Sequence, residues 1–375
     1  MTNPHILFTA DLHIKQRTWT NSTLLKGDAY CSFGRVVDAV SNRQELDSIV
    51  IGGDLFDSNR PTSQDLLTVK DLLTSNFNAC YYIRGNHDSV DPSYLEAITG
   101  SLEDDDFHLC RIDHNFYPMD EHVYMTGIEW VPSAADTWER LRQVVKDWRQ
   151  LRTTPNDILY VVMHTSFQHL LGFDGAYDLT VDMIKGLCGD DRINFLVGHI
   201  HTRDTLVYNS AGAYIHSPGS LYPLSSDKMG DPCYASYIEL STGKIEDIPA
   251  DVRKYVSVNI TETDDLLKWL DANGKAPAQG DLPTFVRVVV PESYDQQIIL
   301  PVSDQYIFKI DRLVAPRDAA TTVRSSYSIS QAIRDELADQ ANREMAIDMA
   351  EEILASDDPV ATIDKWLEFW GVKKV

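Results

Sequence analysis

Short apolar runs that end in small polar clusters, rather than in hairpin turns, set the pattern of the first two thirds of the chain. Ile6–Thr9 runs into Asp11 and His13, Ser48–Ile51 into Gly53 and Asp54, and Ala79–Ile83 into Gly85–Asp88. Further on, Ile158–Met163 runs into His164, and Ile193–Val197 into Gly198–His201. Runs of this length, rich in Ile, Val, Tyr and Phe, predict buried strands. Between them, Pro61–Thr74 and Asp136–Leu151 repeat apolar residues at intervals of three and four, the spacing of a helix face. Strands alternating with helices predict an α/β fold with at least partly parallel sheets. Ligands of such sheets gather beyond the carboxyl ends of the strands, so five strand ends carrying Asp, Asn and His are expected to converge on one site.

The pattern changes after Ser217-Pro218-Gly219-Ser220. Tyr234–Leu240 and Lys254–Ile260 alternate apolar and polar residues, the second reading as an edge or an exit from the core. Asp271–Pro283, rich in Gly, Pro and Ala, reads as a loop, and Phe285–Val290 and Gln305–Leu313 as further strands. The last fifty residues read as helical. Ser328 with Gln331 forms a capping box, and Asp358-Pro359 starts a second helix whose Val360, Ile363, Leu367 and Trp370 share a face before Gly371 ends it. Trp366, Phe369 and Trp370 crowd that short helix, the composition of an anchor for another helix.

Composition narrows the classes. A chain of 375 residues suits two to three domains, and no apolar stretch approaches the length of a membrane span. With 33 basic against 57 acidic residues the net charge is −24, so a polyanionic partner must be met by a local basic surface or by bound cations. Five scattered cysteines without a Cys-x-x-Cys pair point to reduced thiols in the cytoplasm rather than to disulfides or a zinc knuckle. The first ten residues lack a signal-peptide pattern, and Asp11 follows at once. The acidic run Glu103–Asp106 reads as a solvated loop, because consecutive like charges cannot all face one cation.

Each polar cluster is weak alone, and their joint order is informative. Asp11, His13, Asp54, Asn86, His164, His199 and His201 offer seven N and O donors at predicted strand ends. That set suits two divalent cations of mixed coordination, with manganese, iron or zinc favoured over magnesium or calcium by the imidazoles. Two cations about 3.5–4 Å apart clamp the incoming and leaving oxygens of a phosphodiester and acidify a bridging water, with Asp54 as the natural bridging carboxylate. Of the basic residues near the motifs, Lys15, Arg17, Arg60, Arg84 and Lys228, each is either a solvated charge or a phosphate contact. Trp19 and Tyr222 either pack or stack on a splayed base.

Asp11-x-His13, Gly53-Asp54-x-x-Asp57, Gly85-Asn86-His87-Asp88, His164 and Gly198-His199-x-His201 resemble, motif for motif, the calcineurin-like metallophosphoesterase superfamily. Within it, Gly53-Asp54-Leu55-Phe56-Asp57 with Arg60-Pro61, and Ser217-Pro218-Gly219-Ser220 with Pro223-Leu224, are similar to SbcD-type DNA nucleases of bacteria and phages. The resemblance is strong over about residues 4–240 and holds only in layout beyond them.

It implies a four-layer α-β-β-α sandwich over 1–250, a small α+β capping domain that binds DNA over 251–324, and C-terminal helices for a partner over 325–375. The implied activity is that of an exonuclease or endonuclease subunit of a DNA end-processing and recombination complex. Two manganese ions, DNA, an SbcC-type coiled-coil ATPase and a second copy of the chain are the implied cofactors and partners, in the cytoplasm and without a membrane. Dimer contacts would fall on Pro61–Thr74 and Ser93–Ser101. The resemblance makes Asp11, His13, Asp54, His199 and His201 metal ligands, with Asn86 and His164 completing the second metal. His87 becomes the catalytic histidine, placed by Asn86 and oriented by Asp88. Asp57 stands where some relatives carry a histidine, and is expected to hold a ligand histidine. The short appendage suggests a phage or bacterial source. A phosphoprotein phosphatase or small-molecule phosphodiesterase on the same core would not need the roughly 120 residues that follow it. A non-catalytic scaffold would have lost ligands or the catalytic histidine, and here all are present.

Overall fold

The computed structural model describes residues 4–18, 25–43, 45–89, 93–99, 107–171, 178–225, 228, 230–261, 265–273, 282–291, 298, 300 and 303–313. Four parallel strands open a first sheet: β1 (His5–Thr9), β2 (Leu46–Gly52), β3 (Ala79–Ile83) and β4 (His108–Arg111). Helices α1 (Asp28–Val40), α2 (Ser63–Asn76) and α3 (Tyr94–Thr99) connect them. The chain then builds a second sheet from β5 (Tyr117–Asp120), β6 (Val123–Ile128), β7 (Ile158–His164), β8 (Ile193–Gly198), β9 (Asp204–Val207) and β10 (Tyr214–Ser217). Its spatial order is β5-β6-β7-β8-β10-β9, parallel from β6 to β10 and antiparallel at both edges. Helices α4 (Ala134–Leu151), α5 (Gln168–Leu171) and α6 (Val181–Cys188) lie between these strands in sequence. Strands β11 (Tyr234–Glu239) and β12 (Lys244–Pro249) return to the first sheet, completing the order β12-β11-β1-β2-β3-β4.

Side-chain alternation sorts each strand between two cores. On the first sheet, Ile6, Phe8 and Val50 meet Met125, Tyr160, Val162 and Leu196 of the second, which makes the layer between the sheets. The intervening Leu7, Ile49 and Ile51 face the other way, onto Phe33, Val36 and Val37 of α1 and Val69 and Leu73 of α2. The outer face of the second sheet packs Val161, Met163 and Phe195 on Leu141, Val145 and Trp148 of α4 and Ile184 of α6. The result is the expected four-layer α-β-β-α sandwich. Each fully buried aliphatic or aromatic side chain stabilises it by about 1.5–3 kcal/mol relative to exposure.

Two helices begin elsewhere than the apolar spacing predicts, and capping explains both. Thr62 accepts from the Asp65 amide while Asp65 accepts from the Thr62 amide, so α2 starts at Ser63 rather than at Pro61. Ser133 accepts from the Asp136 amide at 3.2 Å and starts α4 at Ala134, two residues early.

A three-stranded sheet follows, β13 (Tyr255–Asn259), β14 (Thr284–Pro291) and β15 (Tyr306–Leu313), with α7 (Asp265–Asn273) after its first strand. β13 is an edge, as its alternation suggests. Buried Arg253 leads into it and donates through Nε and Nη2 to the carboxylate of Asp28, at the start of α1, which also accepts from Thr18 and from the Tyr255 hydroxyl. Residues 1–288 with 297–310 make one compact unit, and 289–296 with 311–375 a second. The helices expected over 325–375, the acidic run and Trp19 lie outside the described residues. Among the described residues no helix is long and apolar enough to cross a membrane.

The layers meet most tightly where strands end. A Cβ on Gly198 would stand 2.3 Å from the Gly52 carbonyl oxygen and 2.9 Å from Cβ of Ala10. Gly198→Ala is therefore expected to destabilise the fold by about 1–3 kcal/mol through overpacking. The measurement is a urea titration, in which the midpoint falls and the slope stays the same; an unchanged midpoint would refute the close approach.

Candidate metal centre

The five polar clusters converge beyond the carboxyl ends of β1, β2, β3, β7 and β8, drawing on both sheets. Four of their residues hold positive φ: Asp11 at 51°, His13 at 40°, Asp54 at 49° and His199 at 91°. Such conformations cost on the order of 1–3 kcal/mol each in non-glycine residues and persist only where surroundings enforce them. Here backbone hydrogen bonds enforce them. The Asp11 amide donates to the Gly53 carbonyl and the His13 amide to that of Asp54, at 3.1 and 3.0 Å. The His199 amide donates to both oxygens of Asp11, at 2.9 and 3.0 Å, and the His87 amide to Oδ1 of Asp54 at 2.9 Å. Each carboxylate is thus aimed by the loop of another motif.

All seven expected ligands come together. Oδ2 of Asp54 lies 3.7 Å from Nε2 of His13 and 3.3 Å from Nε2 of His164, between two halves of the cluster. In one half, Nε2 of His13 and Nε2 of His201 are 3.3 Å apart, with Oδ1 of Asp11 3.7 Å from the latter. In the other, Oδ1 of Asn86 lies 3.1 Å from Nε2 of His164 and 3.0 Å from Nδ1 of His199. Two imidazole nitrogens at 3.3 Å share at most one proton, which leaves a lone pair at that point of the cluster. Three groups could each hold an ion: Asp11, His13 and His201; Asp11, Asp54 and His164; and, at the rim, His13, Asp57 and His87. The donors fit borderline divalent cations. Nδ1 of His164 donates to the Gly52 carbonyl at 2.9 Å, which directs Nε2 at the cluster.

Burial and mutual charge set the protonation of this cluster. Burial pushes Asp11 up to about 6. Burial also opposes a charge on His164, but the Asp54 and Asp11 carboxylates outweigh it and raise its pKa to about 9. Asp54 lies well below the usual carboxylate range, because His164 and His13 overcome its desolvation. Burial holds His199 down to about 4 and His201 to about 3, assisted by His164 and His13 respectively, so both are neutral near pH 7.

A second layer holds these groups in place. Asp57 places Oδ1 3.4 Å from Nδ1 of His13 and binds Lys15 at 2.7 Å, the position expected of it. The buried Tyr222 hydroxyl donates to the His13 carbonyl at 2.7 Å, so this ring packs rather than stacks on a ligand. Asp88 departs from expectation. Its carboxylate accepts from the amides of Gly85, Leu55 and Phe56, at 2.9, 2.8 and 3.3 Å, and so staples two motif loops together. The group beside Nδ1 of His87 is instead the Asp57 carbonyl, at 2.9 Å. The buried carboxylate is held by these three amides of the motif loops, and the hydrogen-bond partner of the His87 ring is the Asp57 carbonyl.

Sequence reasoning missed Glu129, just past β6. It is 5% exposed and accepts from the amide, Nε and Nη2 of Arg84 and from Nε and Nη2 of Arg111. The clamp fixes the residue that precedes Gly85-Asn86-His87, and no local signal links three residues so far apart. Histidines outside the motifs stay outside the centre: His216 is buried between Thr205 and Ser236, His122 pairs with Asp157, and His5 stacks on Tyr237.

The profile described as calcineurin-like phosphoesterase matches residues 4–203. Among curated proteins, the DNA double-strand break repair protein Mre11 of Sulfurisphaera tokodaii is 26% identical over 210 residues, 54% of this chain and 50% of its own length. The protein of the same name from Saccharolobus solfataricus is 24% identical over 261 residues, covering 68% of this chain and 63% of its own. That of Methanosarcina acetivorans is 39% identical over 89 residues, 22% of this chain and 14% of its own. The chain therefore spans less than two thirds of each of these relatives.

Two outcomes are expected. Because Nε2 of His164 carries a proton near neutrality in the cation-free protein, loading a divalent cation should release protons, and apparent affinity should fall as pH falls. Calorimetric titration in buffers of different ionisation enthalpy checks this, and a buffer-independent heat would contradict it. Glu129→Ala leaves two guanidinium groups facing one another and should destabilise by about 2–3 kcal/mol in chemical denaturation.

Proposed function

The chain belongs to the calcineurin-like phosphoesterase family, and within it we propose that it is a divalent-metal-dependent nuclease that hydrolyses phosphodiester bonds of DNA. The observation that carries the reading is the convergence of seven N and O donors about Asp54 with the exposed imidazole of His87 at their edge, against His13. Relatives of modest identity that carry the name of a DNA double-strand break repair protein support the DNA substrate. In this reading Asp11, His13, Asp54 and His201 hold one cation, and Asp54, Asn86, His164 and His199 the other, with manganese preferred. Such cations supply Lewis acidity to phosphoryl oxygens and acidify water.

The residues of the chain do the rest. His87 is exposed and packs edge-on to His13, with ring centroids 4.8 Å apart. A carbonyl oxygen only accepts, so Nδ1 of His87 donates to Asp57 and Nε2 is the atom that exchanges a proton with the leaving oxygen. Asn86 brings an amide oxygen to both ligand histidines and fixes the loop on which His87 sits. Asp88 and Glu129 hold that loop against β2 and β6. The resemblance to SbcD-type nucleases extends the proposal to an SbcC-type coiled-coil ATPase partner docking on 325–375, a homodimer, and a cytoplasmic DNA end-processing complex.

His87→Ala should retain bound manganese yet lose about 10²–10⁴-fold in rate, the usual worth of a general acid. Metal analysis and oligonucleotide cleavage measured together check this, and loss of metal in the variant would move His87 into the ligand set. Among a phosphomonoester, a bare phosphodiester and DNA, the wild-type protein should prefer DNA; preference for the monoester would replace the nuclease reading with a phosphatase.

A further inference from the structure

His201 of the candidate metal centre also lines a cavity of about 240 Å³. Pro218, Pro223 and Pro232 give it apolar walls, and the Tyr234 ring lies under the Arg203 guanidinium, 5.9 Å from centroid to carbon. Nε and Nη2 of Arg203 are bonded to Asp247, which leaves Nη1 without a partner. Lys228 lines the same cavity. Asp231 and Pro232 also line a second, wider cavity of about 620 Å³, bordered by Arg35 and Lys254, so the two adjoin across these residues.

Close to the metal centre, Lys15 is taken up by Asp57 and Arg84 by Glu129. Among the described residues, the side chains of Lys228 and Lys254 form no hydrogen bond or ion pair, and that of Arg35 acts only through space, on the Asp251 carboxylate. Asp231 and Asp251 also border the cavities, so the cations are interspersed with carboxylates rather than massed. Lys228 beside His201, with Arg35 and Lys254 in the adjoining cavity, gives a chain of net charge −24 a local line of cations on which a polyanion could lie.

We propose that these adjoining cavities are the track of one DNA strand. The smaller cavity takes the nucleoside next to the cleaved phosphate, its base against Tyr234 and the proline walls. The wider one takes the phosphates beyond it, met by Arg35, Lys228 and Lys254. Aromatic and apolar walls accept any base, so the track is tolerant of sequence. The inference rests on the nuclease reading and adds the direction in which the strand leaves the centre.

The test is binding of a fluorescein-labelled single-stranded oligonucleotide by anisotropy over a salt series, for the full-length protein and for the Arg35→Gln/Lys228→Gln/Lys254→Gln variant. Loss of three phosphate contacts should weaken binding about tenfold or more and flatten the slope of log K against log salt by about 2, since each single-strand contact contributes roughly 0.7. A control triple, Arg142→Gln/Lys146→Gln/Lys185→Gln, changes exposed cations that line neither cavity. An unaltered slope in the first variant, or an equal loss in the control, overturns the track while wild-type cleavage of the oligonucleotide leaves the nuclease reading standing. Wild-type hydrolysis of a bare phosphodiester with no binding of the oligonucleotide removes both. Melting curves matched to wild type confirm that each variant is folded.

Discussion

Contact between backbones at the carboxyl ends of the strands is the constraint on which the rest depends. A Cβ at Gly85 would lie 2.1 Å from Oδ1 of Asp54, and one at Gly53 would lie 2.3 Å from Nδ1 of His164. No side chain fits at these points, so β2, β3, β7 and β8 end nearly in contact. Seven donors carried by two separate sheets can then meet, with neighbouring N and O atoms 3.0 to 3.7 Å apart. Were the sheets spaced by ordinary side chains to their ends, at about 10 Å, the Asn86 oxygen would not reach His164 and His199 together.

The same closeness makes the centre a net destabilising feature that the surrounding layers must offset. Asp11 and Asp54 are 0% and 1% exposed, and carboxylates buried without partners would shed their charge. Backbone amides and neighbouring imidazoles prevent that for Asp54, whereas Asp11 is left close to half protonated at pH 6. Positive φ at four of the residues adds strain. The continuous apolar packing of Ile6, Phe8, Val50, Val162 and Leu196 immediately below holds the strand ends in register against that strain. A rigid core next to a strained rim is how a fold keeps donors aimed before any ion is bound.

What could be read from the chain follows from which interactions are local. The alternation Ile6, Leu7, Phe8 between two cores, and the helical spacing of α4, are written in adjacent residues, so the layers were legible. The ligand positions were legible because each sits directly after an apolar run, and the end of a run marks the end of a strand. The caps that moved the starts of α2 and α4 involve Thr62 and Ser133, also local, and reading them would have corrected both ends. Glu129 and the function of Asp88 were not legible. Glu129 joins Arg84 and Arg111 only after β3, β4 and β6 have come together, and Asp88 turns toward the Asp54 loop, not toward its neighbour His87, because three unpaired amides lie there.

Those long-range pairings also bear on how an acidic chain handles an anionic substrate. Lys15 and Arg84 sit on motif loops and look, in sequence, like phosphate contacts, yet both are spent on carboxylates that position ligands. Positive charge at the centre must then come from bound cations. Arg203, held to Asp247 by two of its nitrogens, supplies only an edge. On the nuclease reading a division of labour follows: acids and imidazoles would gather cations where bonds are cut, and Arg35, Lys228 and Lys254 would guide the strand in the adjoining cavities. Because a screened surface charge acts over roughly 8 Å at physiological salt, the −24 of the whole chain does not cancel so local an arrangement. That charge does oppose indiscriminate adhesion to polyanions, and so on the nuclease reading leaves binding to places where cations lie near the centre.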